Sequence, residues 1–264
     1  MARVFTVSSG SNGNCTYIGD AESGILIDVG VSFSRLKKAL EEKEIDLQKV
    51  EALFITHEHS DHIKGLPVFL KKTEIPVFAS VKTAEWICEN CPDISRDINI
   101  INCYEPCKTK RLSVTAFEVY HDSVNAVGYR VITGDNRTVV YSTDVGHIDD
   151  EIFSYIENAD LNIIEANYDD GMLMCNASYS FLLKKRISGS CGHLSNKCCA
   201  DAIADLYKKG NRRFLLAHLS EQNNTPEIAY ETVKTKLDSM GLVEDVDYSL
   251  WVAPRSENSR MLIF

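Results

Sequence analysis

The stretch FITHEHSDHIKGL, residues 54–66, decides how the rest of the sequence is interpreted. It places three histidines, a glutamate and an aspartate within six residues, behind an apolar run and ahead of a glycine. The apolar run predicts a strand, and the loop after it has an irregular backbone that can aim several side chains at one point. Imidazole and carboxylate groups at this density are typical of a metal site and hard to explain by packing. The predicted ligands here are His57, His59, Asp61 and His62, whereas we interpret Glu58 as a loop residue.

Further ligand-type residues follow other predicted strands, where the core has no need of a polar side chain. His121 comes after LSVTAFEVY, Asp144 after RTVVYST and His218 after RRFLLA. A two-ion arrangement would use all of them. It assigns one ion to His57, His59 and His121, its neighbour to Asp61, His62 and His218, and the bridging position to Asp144. Asp28, in LIDVG, is expected to accept the N–H of a ligand histidine and so fix its tautomer.

The length and composition predict one domain over residues 1–264. The chain is 44% hydrophobic, and no low-complexity linker divides it. No run reaches the roughly 18 apolar residues that span a bilayer, and the N-terminus lacks a signal-peptide core, so we expect a cytoplasmic protein without membrane contact. Nine cysteines, an odd number, then favour reduced thiols over disulfides.

The order of the predicted elements indicates a layered α/β fold. Three strand-like runs separated by Gly, Ser and Asn turns open the chain and predict a β-meander, with Asn12-Gly13 as the first chain reversal. A helical pattern, the strand before His57 and three more strands follow. The second half alternates helices with strands, and Thr225 followed by Pro226 marks the start of one helix. Two strand-rich halves with helices outside predict a four-layer αββα sandwich.

Four cysteines raise the alternative of a structural zinc site. Cys88 and Cys91 form C-x2-C, and Cys103 and Cys107 form C-x3-C, but the eleven residues between the pairs are short for a zinc ribbon. Cys103 also ends INIINC, a predicted buried strand in which cysteine behaves as a small hydrophobe. We favour the hydrophobic interpretation, and the zinc site stays the alternative.

The charge of the chain argues against a nucleic-acid partner unless it is locally reversed. Lysine and arginine number 28 and aspartate and glutamate 38, which gives −10. Such a charge repels nucleic acid unless metals and basic patches reverse the local field. The candidates for a patch are residues 182–186 and 208–213, Lys71, Lys72 and Arg255. Solvated helix faces explain most of them equally well.

With these residues in place, the chain resembles the metallo-β-lactamase fold. THEHSDH, together with the positions of Asp28, His121, Asp144 and His218, carries that resemblance. SSGSNGNC, HDSVNAVGY, STDVGHI, EANYD, GHLSN and LAHLSEQNN further resemble the YycJ/WalJ-type branch, which is regarded as DNA exonucleases. The resemblance implies two packed sheets with helices outside, a dinuclear site at one edge, and degradation of DNA from a 5′ end. Lactamases commonly have cysteine at the bridging position, whereas this chain has an aspartate. This difference argues against antibiotic hydrolysis.

Glu165 and His193 have no place in the ligand count but resemble an acidic residue and a histidine near the leaving group of tRNase Z-like enzymes. A sugar alkoxide is a strong base, so an imidazolium that protonates it is expected to help by roughly 10²- to 10⁴-fold, and a nearby carboxylate keeps that imidazole charged. The alternative is that Glu165 only ends a strand and His193 only caps the helix that begins near Ser195. His147 is interpreted as an exposed neighbour of a helix cap.

The sequence thus predicts a phosphodiesterase with two divalent metal ions, zinc or manganese, that uses a hydroxide bridging them. The predicted catalytic residues are Asp61, Glu165 and His193, and DNA is the expected substrate. A small-molecule phosphodiesterase or thioester hydrolase of the same fold is the alternative, favoured by the charge and by the few aromatic-interleaved basic stretches. A third hypothesis, structural metals in a non-enzymatic binding protein, is the least consistent with an acid beside the site.

Overall fold

The computed structural model describes residues 1–91, 94 and 98–264. Its strands are short, and most of their residues are buried. In chain order they are β1 (Arg3–Ser8), β2 (Cys15–Gly19), β3 (Gly24–Ile27), β4 (Val50–Phe54), β5 (Val77–Ala79), β6 (Asn99–Ile100), β7 (Pro106–Lys108), β8 (Ser113–Glu118), β9 (Val127–Ile132), β10 (Thr138–Ser142), β11 (Leu161–Glu165), β12 (Arg213–Ala217), β13 (Ser249–Val252) and β14 (Leu262–Ile263).

The strands form two mixed sheets. The first has the order β14-β1-β2-β3-β4-β5-β6, and the second has the order β13-β12-β11-β10-β9-β8-β7. The predicted meander is present as the antiparallel ladder β1-β2-β3, after which β3 to β6 run parallel. In the second sheet β10 to β13 run parallel. Strands such as β10 and β11 are buried along almost their whole length, as parallel strands covered on both faces must be.

Helices connect the strands, and several of them cover the outer faces of the two sheets. They are α1 (Phe33–Glu42), α2 (Ser60–Ile63), α3 (Leu66–Lys72), α4 (Val81–Asn90), α5 (Asp150–Ile156), α6 (Asp170–Cys175), α7 (Phe181–Ile187), α8 (Asn196–Lys208) and α9 (Pro226–Asp238), and a short 3-10 turn spans Leu47–Lys49. Several begin at side-chain caps that the sequence predicts. The Thr225 hydroxyl accepts the Ile228 N–H at 3.2 Å with Pro226 in the first turn, and the Ser195 hydroxyl accepts the Cys198 N–H at 3.2 Å.

Three apolar layers show that the predicted αββα sandwich is correct. The central layer lies between the sheets and includes Ile27 and Phe54 from the first with Val131 and Tyr141 from the second. A second layer packs α1, α3 and α4 on the first sheet, and a third packs α5, α8 and α9 on the other. Each Å² of apolar surface removed from water contributes about 25 cal/mol, so these layers make the main contribution to stability.

Two sequence interpretations differ from the structure. INIINC, predicted as a buried strand, forms only the two-residue edge strand β6, and both Asn99 and Ile100 are exposed. Its apolar residues Ile98 and Ile101 are buried, so the segment contributes to the core from an irregular backbone. Helices α3 and α4 were not among the predicted elements, although Pro67 stands in the first turn of α3 as a helix start signal.

Among the described residues, no helix is long and apolar enough to cross a membrane.

Candidate metal centre

The seven predicted ligands meet at one edge of the sandwich. They lie on loops or on the short helix that follow strands of both sheets, because the chain leaves each strand there and frees the side chains from ladder packing. His57 and His59 follow β4, Asp61 and His62 lie on α2, and His121, Asp144 and His218 follow β8, β10 and β12.

Three acidic or histidine residues at these strand ends have a left-handed backbone. Asp28, Asp144 and His218 have φ of 59°, 57° and 56°. Non-glycine residues adopt this conformation rarely, with Asp, Asn and His the most tolerant, and its cost of about 1 kcal/mol or more is met where the surroundings fix it. The conformation turns the chain sharply out of each strand, and it directs Asp144 and His218 into the site and Asp28 against Nδ1 of His62.

The first ligand group consists of His57, His59 and His121. One ligand atom from each lies within 4.8 Å of the other two, and His121 Nε2 is 3.3 Å from His59 Nδ1. The Nδ1–H of His121 is directed at the Gly192 carbonyl at 3.0 Å, which leaves Nε2 for a cation. Burial lowers the pKa of His57 well below its ordinary value, so its imidazole is neutral and able to bind a metal.

The second ligand group consists of Asp61, His62 and His218. Oδ2 of Asp61 is 3.4 Å from His62 Nε2 and 3.6 Å from His218 Nε2. Burial raises the pKa of Asp61, but His62 and His218 outweigh it and keep the carboxylate ionised. Three donor atoms that surround one point in this way are a suitable half-shell for a divalent cation.

Asp144 lies between the two groups. Its Oδ2 is 3.4 Å from His62 Nε2, and its Oδ1 is 3.8 Å from His121 Nε2. Asp144 also completes a group with His57 and His62 and a further group with Glu165, His193 and His218. The structure therefore brings all seven predicted ligands together, with Asp144 between the two groups.

Asp28 makes the contact expected of it. Its Oδ2 accepts the Nδ1–H of His62 at 2.7 Å, and its two oxygens also accept the N–H and the hydroxyl of Thr56 at 2.8 and 2.9 Å. The Asp28 side chain is fully buried. Burial lowers the pKa of His62, but Asp28 and the other carboxylates around it raise it well above the ordinary value. The contact leaves Nε2 of His62 directed at the site.

Glu165 joins His193 to His218. Its Oε1 is 2.9 Å from His193 Nδ1 and 2.8 Å from His218 Nδ1, and its Oε2 accepts the N–H groups of Val145 and Leu194. Glu165 is fully buried at the end of β11, so each of these bonds is formed away from bulk water. The sequence places Glu165 beside His193, but the contact with a predicted metal ligand is a result of the tertiary structure.

The pKa shifts around Glu165 follow from this pairing. Burial raises the pKa of Glu165, yet the two imidazoles outweigh it and hold the carboxyl below its ordinary range. Burial lowers the pKa of His193, but Glu165 more than reverses this effect. The pKa of His193 is therefore above its ordinary value. For His218 the same opposition, with Asp144 as the largest stabiliser of its proton, raises the pKa to about 10.

Two residues at the site were not recognised from the sequence. Asn14, in the loop after β1, donates its amide to Asp61 Oδ2 at 3.1 Å and is fully buried. Glu58, interpreted as a loop residue, is buried, and its Oε1 accepts the N–H of Val124 at 3.0 Å, which ties the β4 loop to the loop that carries His121. A polar side chain in a turn is the only local signal for Asn14, and such residues are common.

Two other interpretations have clear outcomes. His147 belongs to none of the ligand groups, but it is half-buried instead of exposed: its ring stacks on Tyr120 at 4.1 Å and its Nδ1 contacts the Ser190 carbonyl. Asp149, and not a residue next to His147, caps α5. Among the described residues, none of the groups of ligand atoms contains Cys88, Cys91, Cys103 or Cys107.

Comparison with known proteins agrees with this fold and site. Residues 24–219 match the model of the β-lactamase superfamily domain, a stretch that includes every predicted ligand. The chain belongs to the β-lactamase superfamily. The chain is similar to the solved structure of Zn²⁺-bound PqqB from Methylobacterium extorquens. The similarity covers 98% of this chain and 99% of that one, with a TM-score of 0.73 and 15% identity. At that identity the similarity bears on the fold.

Curated relatives place the chain more narrowly in the superfamily. It is 34% identical over 249 residues to exodeoxyribonuclease WalJ of Streptococcus pneumoniae serotype 2 strain D39, covering 93% of this chain and 91% of the relative. It is also 34% identical over 243 residues to exodeoxyribonuclease YycJ of Bacillus anthracis, covering 91% of each chain. The chain is a member of the WalJ/YycJ family.

Proposed function

We propose that the protein is a metal-dependent phosphodiesterase that degrades DNA as an exonuclease, with two divalent cations at the centre described above. The observation that supports this most is the pair of ligand groups joined by Asp144, with His193 and Glu165 beside them. Membership of a family whose relatives are named exodeoxyribonucleases supports DNA as the substrate.

The side chains present suit divalent cations. Three buried atoms at the centre have no hydrogen-bond partner among the described residues: His57 Nε2, Asp144 Oδ2 and His218 Nε2. Buried polar atoms normally have partners, and bound cations would supply one to each of these three atoms, all of which belong to the ligand groups. His57, His59 and His121 would hold the first cation, Asp61, His62 and His218 would hold the second, and Asp144 would contribute to both. Imidazole-rich groups favour zinc, whereas the carboxylates leave manganese as a second choice.

When bound, the cations supply Lewis acidity that lowers the pKa of water and neutralises charge on phosphoryl oxygens. The protein contributes by orienting the side chains that hold them. Asp28, the Gly192 carbonyl and Glu165 each fix the tautomer of one histidine, those being His62, His121 and His218. Asn14 holds Asp61 in place by its amide.

His193 is the proposed proton donor to the leaving sugar oxygen. Its Nδ1–H is occupied by Glu165, so Nε2 carries the proton that can be transferred. The side chain is 22% exposed while Glu165 is fully buried, which gives substrate access to the imidazole and keeps the carboxylate behind it. Asp61, the third predicted catalytic residue, is 21% exposed and contributes through its place among the ligands.

The proposal is tested with purified protein, zinc, manganese or magnesium, and a panel of substrates. The panel contains DNA labelled at the 5′ or the 3′ end, RNA, bis-p-nitrophenyl phosphate and a thioester. We expect hydrolysis of DNA from the 5′ end, the polarity that the family resemblance implies. Efficient cleavage of a thioester or a cyclic phosphate with no release from DNA would instead support the small-molecule hydrolase, the function that the −10 charge favours.

A further inference from the structure

Helix α7 exposes an apolar and basic surface that the catalytic scheme does not use. None of its seven residues is buried, and Phe181 and Leu182 are 77% and 75% exposed. The last turn carries three consecutive basic residues, Lys184, Lys185 and Arg186. Adjacent large apolar side chains with this exposure, next to cations, form a patch of the kind that marks an interaction site.

This helix is joined to the metal centre at its C-terminal end. The His193 N–H donates to the Ile187 carbonyl at 2.8 Å, so the backbone of the proposed proton donor is bonded to the last residue of α7. Arg186 contacts Asp122, whose carboxylate is 3.4 Å from Nε2 of the predicted ligand His121. A molecule that lies along α7 therefore reaches the site without leaving the protein surface.

Phe181 and Lys185 fall on one face of α7, and Leu182 stands on the adjoining face. Residues four apart in a helix are neighbours, so Phe181 and Lys185 stand one above the other. Lys184 is turned away to donate to the Met174 carbonyl at 2.6 Å, and Arg186 is engaged by Asp122. Lys185 is left exposed beside the apolar pair. We call Phe181, Leu182 and Lys185 the α7 surface.

We propose that the α7 surface binds unpaired nucleotides of the DNA strand whose end lies in the metal centre. This inference rests on the proposed function and adds the place where the strand is held. Phe181 and Leu182 contact base faces, which every nucleotide presents, and Lys185 contacts a phosphate. For a duplex substrate, the strand has to separate over this surface before it enters the site.

Charge and length favour this occupant. In a chain of net charge −10, the exposed ammonium group of Lys185 beside two exposed apolar side chains suits a strand that presents both phosphates and bases. Ile187 lies six positions after Phe181, which is about 9 Å of helix at about 1.5 Å per residue. Two to three nucleotides stacked at about 3.4 Å cover that length.

The test is equilibrium binding of a fluorescent single-stranded oligodeoxythymidine to the whole protein in EDTA, measured by anisotropy between about 50 and 200 mM salt. Phe181→Ala is expected to weaken binding by about tenfold at each salt concentration, since a lost base contact carries no charge. Lys185→Gln is expected to reduce the slope of log affinity against log salt by about 0.7, the value for one lost phosphate contact on a single strand.

Matched controls use an apolar residue and a lysine that are exposed elsewhere on the protein. Val246→Ala removes an apolar side chain that is 79% exposed, and Lys38→Gln removes a lysine that is 77% exposed; both are expected to bind like wild type. Circular dichroism checks the fold of each variant. If wild type cleaves DNA but the α7 variants bind like the controls, the inference is wrong and the proposed function stands.

Other outcomes also overturn the inference. If wild type neither cleaves nor binds DNA, the proposed function fails and the inference with it. Phe181→Ala could instead abolish binding to vesicles of phosphatidylcholine and phosphatidylserine, with DNA affinity unchanged, which would make α7 a membrane contact. A dimer in sedimentation that Phe181→Ala dissociates, again with DNA affinity unchanged, would make it an interface between two copies.

Discussion

At the scale of single residues, the chemistry depends on which histidine nitrogens are free. Asp28, the Gly192 carbonyl and Glu165 each engage Nδ1 of a different imidazole at 2.7 to 3.0 Å. Each contact directs the opposite nitrogen at the centre. The site is thus built as much by the acceptors behind the histidines as by the histidines themselves.

His193→Ala is expected to slow DNA cleavage by roughly 10²- to 10⁴-fold and hydrolysis of bis-p-nitrophenyl phosphate by far less. A p-nitrophenolate leaves without protonation, whereas the alkoxide of a sugar does not. Steady-state kinetics on both substrates measure the difference, and metal content is expected to stay at the wild-type level. Equal losses on the two substrates would show that His193 binds phosphate or supports the metal centre.

Glu165→Gln is expected to behave differently from His193→Ala because Glu165 also holds His218. The amide keeps the shape but weakens the contact with Nδ1 of His218, so metal affinity should fall by roughly 10- to 100-fold. Competition with a chromophoric chelator measures that affinity. If Glu165→Gln binds metal as tightly as wild type, Glu165 acts only through His193.

At the scale of elements, the backbone contacts between loops fix where Asp61 lies. A Cβ on Gly30 would come within 1.6 Å of the Asp61 carbonyl oxygen, and the Asn14 N–H donates to that same oxygen at 2.7 Å. Gly30, at the end of the strand region that carries Asp28, is therefore the residue that lets α2 approach the loop after β1.

Gly30→Ala is expected to displace α2, to destabilise the protein by about 1–3 kcal/mol or more, and to lower metal content. Urea unfolding and metal analysis measure the two effects. Gly171→Ala is the control, because a Cβ there meets nothing closer than 3.2 Å, from the Asp169 carboxylate. A Gly30→Ala protein with unchanged stability and full metal content would refute this account of the approach.

The turn between β2 and β3 depends on a buried carboxylate. Asp20 is 5% exposed and accepts the N–H groups of Glu22 and Ser23 at 2.8 and 3.1 Å and an Arg111 N–H at 3.2 Å. Burial raises the pKa of Asp20, but these bonds outweigh it and hold the pKa below the ordinary value. The charged form is therefore the one that stabilises the turn.

Asp20→Asn is expected to lower the free energy of unfolding by about 1–2 kcal/mol at pH 7, as loss of charge-assisted bonds does. A lowered native pKa means that the stabilisation is complete above the unfolded value of about 3.9 and is lost as pH falls below it. The difference between wild type and variant should thus shrink at acidic pH. Urea unfolding of metal-free protein at pH 7 and at acidic pH measures it, and a difference independent of pH would contradict the expectation.

At the scale of the whole molecule, the central apolar layer joins the two halves of the chain. Ile27 and Phe54 of the first sheet pack in the same cluster as Tyr141 and Ile163 of the second. Terminal strand β14 also returns to pair with β1 in the first sheet. We propose on this basis that residues 1–264 form one domain, as the composition predicts.

Unfolding in urea is expected to be a single cooperative transition seen equally by both halves. The two tryptophans allow the test, because Trp86 lies on α4 against the first sheet and Trp251 on β13 in the second. Trp86→Phe and Trp251→Phe each leave one reporter. Fluorescence midpoints that differ between the variants, when circular dichroism shows equal stability, would indicate two domains.

The sequence by itself determined the layers and much of the group of side chains that meets at the candidate metal centre. His57, His59, Asp61 and His62 stand close in the chain, and one loop after one strand is enough to gather them. The caps at Ser195 and Thr225 and the apolar runs of β10 to β12 are likewise local, since hydroxyl capping and periodicity act over a few residues. Local rules of this kind are readable before any fold is known.

Only the tertiary structure decided which distant groups touch. Glu165 meets His218, Asn14 meets Asp61, and Glu58 meets the N–H of Val124, all across 47 or more residues of sequence. It also left α7 exposed beside His193 and reduced INIINC to an edge strand. These outcomes depend on how the two sheets pack and where their loops converge. Packing is a property of surfaces brought together from many segments. Periodicity and spacing along the sequence therefore do not contain that information.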